Sequence, residues 1–90
     1  MNTKQIMNIH KSEILNKICY TELVYGRINK KLNTTFSKSE IERLIFDLID
    51  GVEEDTIQKV GKNYYIENQI HKVKITVNSN TFRIITVNKI

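Results

Sequence analysis

Apolar residues recur at Ile14, Ile18, Tyr25, Ile28 and Leu32, at spacings of three, four and seven, with Thr21 filling the gap. That spacing predicts one face of an amphipathic helix, which Leu15, Cys19 and Val24 widen. Ser12 is placed to cap its start and Asn33-Thr34-Thr35 to stop it, with Lys30 and Lys31 suited to the negative end of the helix dipole. Gly26 inside such a helix costs about 1 kcal/mol relative to alanine. Either the helix breaks there or a neighbour approaches its backbone closely.

The start of a second helix is written more sharply. Ser37 stands three before Glu40, a capping box, and Phe36 and Ile41 are spaced as a hydrophobic staple. Ile41, Leu44, Ile45, Leu48 and Ile49 then form a dense apolar face, and Gly51 takes the usual C′ position.

Beyond Gly51 the period changes to two. Val73, Ile75 and Val77 alternate with Lys72, Lys74 and Thr76, the pattern of a half-buried strand. Asn78-Ser79-Asn80-Thr81 reads as a turn, and residues 82–87 as a second strand rich in β-branched side chains. Asn63-Tyr64-Tyr65-Ile66 is a further strand, and residues 57–60 are the candidate for a short fourth one. The expected fold is therefore α+β: two helices packed on one face of a three- or four-stranded antiparallel sheet, in α-α-β-β-β order. Residues 12–90 make up that single domain, and residues 1–11 a flexible or short helical extension.

Strand register decides which side chains are displayed. With two-residue loops at Ser79-Asn80 and Asn68-Gln69, Val77 faces Phe82, Ile75 faces Ile84, and Tyr64 joins them on the buried side beside Val73. The outer face then shows Tyr65, Lys72, Lys74, Arg83, Ile85 and Val87. A one-residue slip inverts the assignment.

The chain of 90 residues leaves room for one domain with a thin core. Its charge is segregated. Residues 1–35 carry six Lys/Arg against two Glu, residues 36–58 two against seven acids, and residues 59–90 six against one. This basic–acidic–basic layout fits two differently charged surfaces rather than a uniformly basic nucleic-acid coat. There is no long apolar run to span a membrane and no apolar leader. The one cysteine, Cys19, has no internal partner, so a reducing cytoplasm is the expected compartment.

Chemistry for catalysis is sparse. His10 and His71 are the two histidines, and a Cys19–His71 nucleophile pair competes with the plainer reading of Cys19 as a small hydrophobe. No phosphate-cradling glycine loop, serine elbow or zinc spacing is present, so no catalytic residue, cofactor site or metal site is assigned. The acidic run Asp47, Asp50, Glu53, Glu54 and Asp55 lies where a helix dipole disfavours negative charge. It reads as a solvated helix end paired to basic segments, or as a patch that docks on a basic partner. Its spacing does not match an EF-hand loop. On the outer sheet face, Tyr65 with Lys72, Lys74 and Arg83 combines a stacking ring with cations, as single-stranded nucleic acid requires. Ile85 and Val87 on that face suit a protein partner instead.

The segments Ile18-Cys19-Tyr20-Thr21, Gly61-Lys62-Asn63-Tyr64-Tyr65, Ile75-Thr76-Val77-Asn78-Ser79 and Arg83-Ile84-Ile85-Thr86-Val87 together resemble the short bacterial family known as domain of unknown function 3781. The resemblance implies a bacterial cytoplasmic protein of a kind often carried by mobile elements. It brings no catalytic or binding residue with it. The leading expectation is a small non-enzymatic protein-binding regulator or inhibitor, directed at a host nuclease in the manner of an anti-CRISPR protein, with a homodimer open as its assembly. The alternative is a nucleic-acid-binding module that uses the basic sheet face.

Overall fold

The single N-terminal helix that the periodicity predicts is two helices in the computed structural model, which describes residues 9–90. They are α1 (Lys11–Lys17) and α2 (Glu22–Leu32). The first eight residues of the expected N-terminal extension lie outside the described residues; of the rest, His10 is the N-cap of α1 and Lys11 its first residue. Ser12 therefore lies inside α1 rather than capping it. Ile18 ends α1 in extended backbone. The Cys19 N–H donates to the Phe82 carbonyl at 2.9 Å, and the Ile84 N–H donates to the Cys19 carbonyl at 2.9 Å. Cys19 thus makes a parallel bridge to Arg83 at the sheet edge. The apolar spacing hides this break because both helices face one core. Gly26 sits within α2 with nothing within 4 Å of the place a Cβ would take, so neither a break nor a close approach accounts for it.

Asn33 closes α2 in the left-handed region, φ 59°. The Asn29 side chain then ties down the connection. It accepts from the Phe36 N–H and the Thr34 hydroxyl, and donates to the Phe36 carbonyl. This leads directly into α3 (Lys38–Asp50), whose capping box is complete. Ser37 Oγ accepts from the Glu40 N–H at 3.2 Å, and the Glu40 carboxylate accepts from the Ser37 N–H at 2.7 Å.

Gly51 does end α3, though not in the left-handed conformation usual for a helix-terminal glycine; its φ is −80°. The lack of a side chain matters for space instead. A Cβ there would lie 3.3 Å from the Asp47 carbonyl oxygen and 3.5 Å from Asn68 Nδ2. The negative end of α3 is compensated by a cation from α1. The Lys11 ammonium donates to the carbonyls of Asp50 (2.8 Å) and Val52 (3.0 Å). In return the Glu54 carboxylate accepts from the Lys11 N–H at 2.7 Å and so caps the start of α1.

After a 3-10 turn (Glu54–Thr56) come β1 (Gln58–Val60), β2 (Asn63–Asn68), β3 (Val73–Asn78) and β4 (Ile84–Lys89), an antiparallel meander in sheet order β1-β2-β3-β4. Ile14 of α1, Val24 and Ile28 of α2, and Ile41, Ile45, Leu48 and Ile49 of α3 bury themselves against one face of this sheet. That face presents Tyr64 and Ile66 of β2, Val73, Ile75 and Val77 of β3, and Ile84 and Val87 of β4. The architecture is thus α+β as expected, with three helices rather than two and with all four strands.

The ring of Tyr20, in the α1–α2 connection, stacks on that of Tyr25 in α2, 5.4 Å between centroids. Tyr25 donates its hydroxyl to the Glu42 carboxylate at 2.5 Å. The Tyr20 hydroxyl, by contrast, is buried without a hydrogen-bond partner among the described residues. Burial first, and the Glu42 charge second, hold that phenol above its ordinary range. A buried hydroxyl with no partner costs stability. Tyr20→Phe is therefore expected to stabilise the domain by about 1 kcal/mol, a rise of roughly 4–8 °C in melting temperature. A fall in melting temperature would mean that the hydroxyl has found a partner.

Candidate functional site

Both hairpins differ from the two-residue loops that the sequence suggests, and this redraws the outer face. Tyr64 pairs with Val77, Tyr65 with Thr76, Glu67 with Lys74 and Asn68 with Val73, leaving a four-residue turn at residues 69–72. Lys72 sits in that turn at φ 59°, beyond the strand face where Tyr65 was expected to meet it. In the next hairpin Asn78 Oδ1 accepts from the N–H groups of Asn80 and Thr81, and Phe82 takes φ 61°. The longer turn delays β4 until Ile84, which pairs with Val77 in place of Phe82. Arg83 directly precedes β4, bridged to Cys19, with its carbonyl accepting from the Asn78 N–H and its side chain exposed.

A bulge then interrupts β4. Thr76 pairs with Thr86 while Val77 pairs with Ile84, so Ile85 has no opposite number. One extra residue reverses the alternation after it. Val87 therefore faces inward against Ile75 and is wholly buried, a correction to its expected place on the outer face. Ile85 stays 38% exposed.

Of the six sheet-face candidates, Tyr65 and Lys74 are brought together on the outer face. The Lys74 ammonium lies 5.8 Å from the centre of the Tyr65 ring. The row through Tyr65 runs Gln58, Tyr65, Thr76, Thr86, and the row through Lys74 runs Glu67, Lys74, Asn88. Lys74 thus stands opposite an acid rather than beside Lys72 and Arg83.

The acidic run is divided as well. Asp47 is 3.5 Å from Arg43 one helical turn earlier, and Glu54 holds the start of α1. No group of three His, Cys, Asp or Glu among the described residues is arranged to hold a metal ion. Cys19 and His71 are not neighbours. Cys19 bridges beside the start of β4, whereas His71 precedes β3 at the other end of the sheet, about 20 Å away along a six-residue strand.

The acidic run and the sheet face nevertheless meet at one place. A cleft of about 400 Å³ is lined by Val52, Glu53 and Thr56 after α3, by Gln58 and Tyr65 of the outer row, and by Glu67 and Ile70. It opens where the three residues of β1 run out and the longer β2 continues beyond them. Ile70 is 83% exposed at its edge, a large apolar side chain in water. Asn68 fixes the wall beneath Ile70. Its Nδ2 donates to the Leu48 carbonyl at 3.0 Å and its Oδ1 accepts from the His71 N–H at 2.9 Å. Sequence reading missed Glu67, Ile70 and Asn68 because each belongs to a turn or strand end whose register was unknown. The one available signal was Ile70 itself, an aliphatic residue inside a turn-like Asn-Gln-Ile-His stretch.

A family model described as "Protein of unknown function (DUF3781)" matches residues 12–88. No curated protein and no solved structure matches the chain.

Proposed function

Because the chain belongs to the family described as "Protein of unknown function (DUF3781)", whose description names no activity, we propose its role from the surface that the fold leaves uncovered: a non-enzymatic module that binds another protein and regulates or inhibits it. The observation that supports this most is the cleft joining Tyr65 of the sheet face to Glu53 of the acidic run, with Glu67 and the exposed Ile70 alongside. Two carboxylates next to a phenol and an isoleucine suit a basic side chain flanked by apolar ones on a partner. They repel phosphate. The nucleic-acid reading needs Lys72, Lys74 and Arg83 on one face with Tyr65; Lys72 has left that face for the turn, and Lys74, beside the Tyr65 ring, stands opposite Glu67. An enzyme that handles nucleic acid offers a basic partner surface of this kind, which makes a nuclease the class to test first.

The test compares capture from nuclease-treated bacterial lysate by the wild-type chain and by a Glu53→Lys, Tyr65→Ala, Glu67→Lys variant. All three positions lie outside the buried core, so the variant should keep its circular dichroism and melting temperature. The expected result is a protein retained by the wild type and reduced about tenfold or more on the variant, as for loss of interface anchors. Equal capture by both chains removes the cleft as the docking surface. Recovery that requires nucleic acid moves the function to the alternative class.

A further inference from the structure

A second cleft, of about 280 Å³, lies at the other side of α3, and no residue lines both. Leu32 at the end of α2, Leu44 and Leu48 on α3, and Val73 at the start of β3 make its lining apolar. Lys72 and Lys89, both exposed, supply its cations, and His71 and Ile90 complete the lining. The backbone sets these two lysines next to each other. Lys89 is in register with Val73, the residue after Lys72, and the Ile90 N–H donates to the Lys72 carbonyl at 3.0 Å. The left-handed conformation of Lys72 belongs to the same turn.

No Asp or Glu side chain lines this cleft. The ion pairs among the described residues are Lys17–Glu13, Lys38–Glu22 and Arg43–Asp47, so neither Lys72 nor Lys89 has an acidic partner there. Two like charges held side by side, one in the turn before β3 and one at the end of β4, repel, and an anion placed between them removes the repulsion. An inorganic anion alone would leave the leucine-lined space below it unfilled. A neutral hydrocarbon would leave the lysines unanswered.

We propose that this cleft is a binding site for a small amphipathic anion, a carboxylate on a medium-length hydrocarbon chain, with the carboxylate between Lys72 and Lys89 and the chain against Leu32, Leu44, Leu48 and Val73. The cleft's volume lies just below that of drug-sized ligand sites, about 300 to 1,000 Å³, which favours a small ligand. A chain of roughly eight carbons is the size to test against a space of that order. The site stands independently of the protein-docking cleft.

The experiment titrates sodium octanoate into the full chain labelled with nitrogen-15, with 1-octanol and sodium acetate as separate probes of the tail and the charge. Saturable shifts of the Leu44, Val73 and Lys89 amides are expected with octanoate, with octanol and acetate each about tenfold weaker or worse. Lys72→Gln with Lys89→Gln should weaken octanoate about tenfold while amides remote from the cleft keep their positions. Raised salt should weaken octanoate in the wild type and have little effect in the double variant. The proposal is overturned if octanoate gives no saturable shift at those amides, if octanol binds as tightly, or if the double variant binds unchanged.

Discussion

Val87→Lys unfolds this domain, whereas Ile85→Lys, two positions earlier, leaves it folded. Val87 is completely buried against Ile75 on the helix-covered face, and Ile75 is itself completely buried. A lysine there must place its ammonium in the core with no acid in reach, or push α2 off β4. Either outcome costs about 4–5 kcal/mol or more. A domain of this size has only about 5–15 kcal/mol in total. Ile85 occupies the bulge and is partly exposed, so a lysine stem can lie along the surface with its charge in water, at a cost within about 1 kcal/mol. Urea denaturation of the two variants, followed by circular dichroism, reads the difference directly. Plain alternation along residues 82–87 gives both positions the same orientation, so equal effects would remove the bulge from the sheet.

The same bulge marks the limit of what could be read along the chain. The helix faces were legible because a helical stripe tolerates local error. Ile14, Val24 and Ile28 reach the core although the chain between them leaves helix altogether to pair with β4. Likewise Ser37 and Glu40 announce α3 because a capping box is complete within four residues. A strand face has no such tolerance, since its period is two and a single inserted residue inverts every later side chain. The turn ahead of the bulge was no easier to read. Asn78 folds its side chain onto the N–H groups of Asn80 and Thr81, and Phe82 adopts a positive φ that its residue type does not advertise.

The candidate surfaces followed from the register and shared its fate. Tyr65 and Lys74 stand together because they sit near the centre of β2 and β3, where either loop length leaves them on the outer face. Lys72 left the strand face because it lies just before β3, where the longer loop draws it into the β2–β3 turn; Arg83, just ahead of β4, is bridged to Cys19. The acidic run could be found as a run, but not its division of labour. That Glu54 caps α1 while Glu53 lines a cleft depends on Lys11, more than forty positions earlier in the chain. The docking cleft itself depends on β1 being three residues shorter than β2, a mismatch without a local sequence signal.

Asn68 is where fold and cleft are joined, and its replacement should be felt in both. It is a buried polar side chain whose amide donates to the Leu48 carbonyl near the end of α3 and whose oxygen accepts from the His71 N–H in the β2–β3 turn. Asn68→Leu keeps the approximate volume but takes the partner from the buried Leu48 carbonyl and from the part-buried His71 N–H. The expected cost is about 2–4 kcal/mol, roughly 1–3 for each orphaned group less what the added apolar burial returns. Asn68→Asp separates the two bonds. The acceptor for His71 survives, while the donor to Leu48 is lost and a carboxylate is set against the carbonyl end of α3, where the dipole also opposes it. Hydrogen exchange at the His71 amide should then remain slow relative to global opening in Asn68→Asp and become fast in Asn68→Leu, although both variants lose stability in urea. The turn at residues 69–72 carries Ile70 into the docking cleft, so loosening it in Asn68→Leu should also weaken capture of a protein partner. If the His71 amide exchanges equally in both variants, the turn is held by something other than the Asn68 side chain, and the wall of the cleft is not anchored through α3.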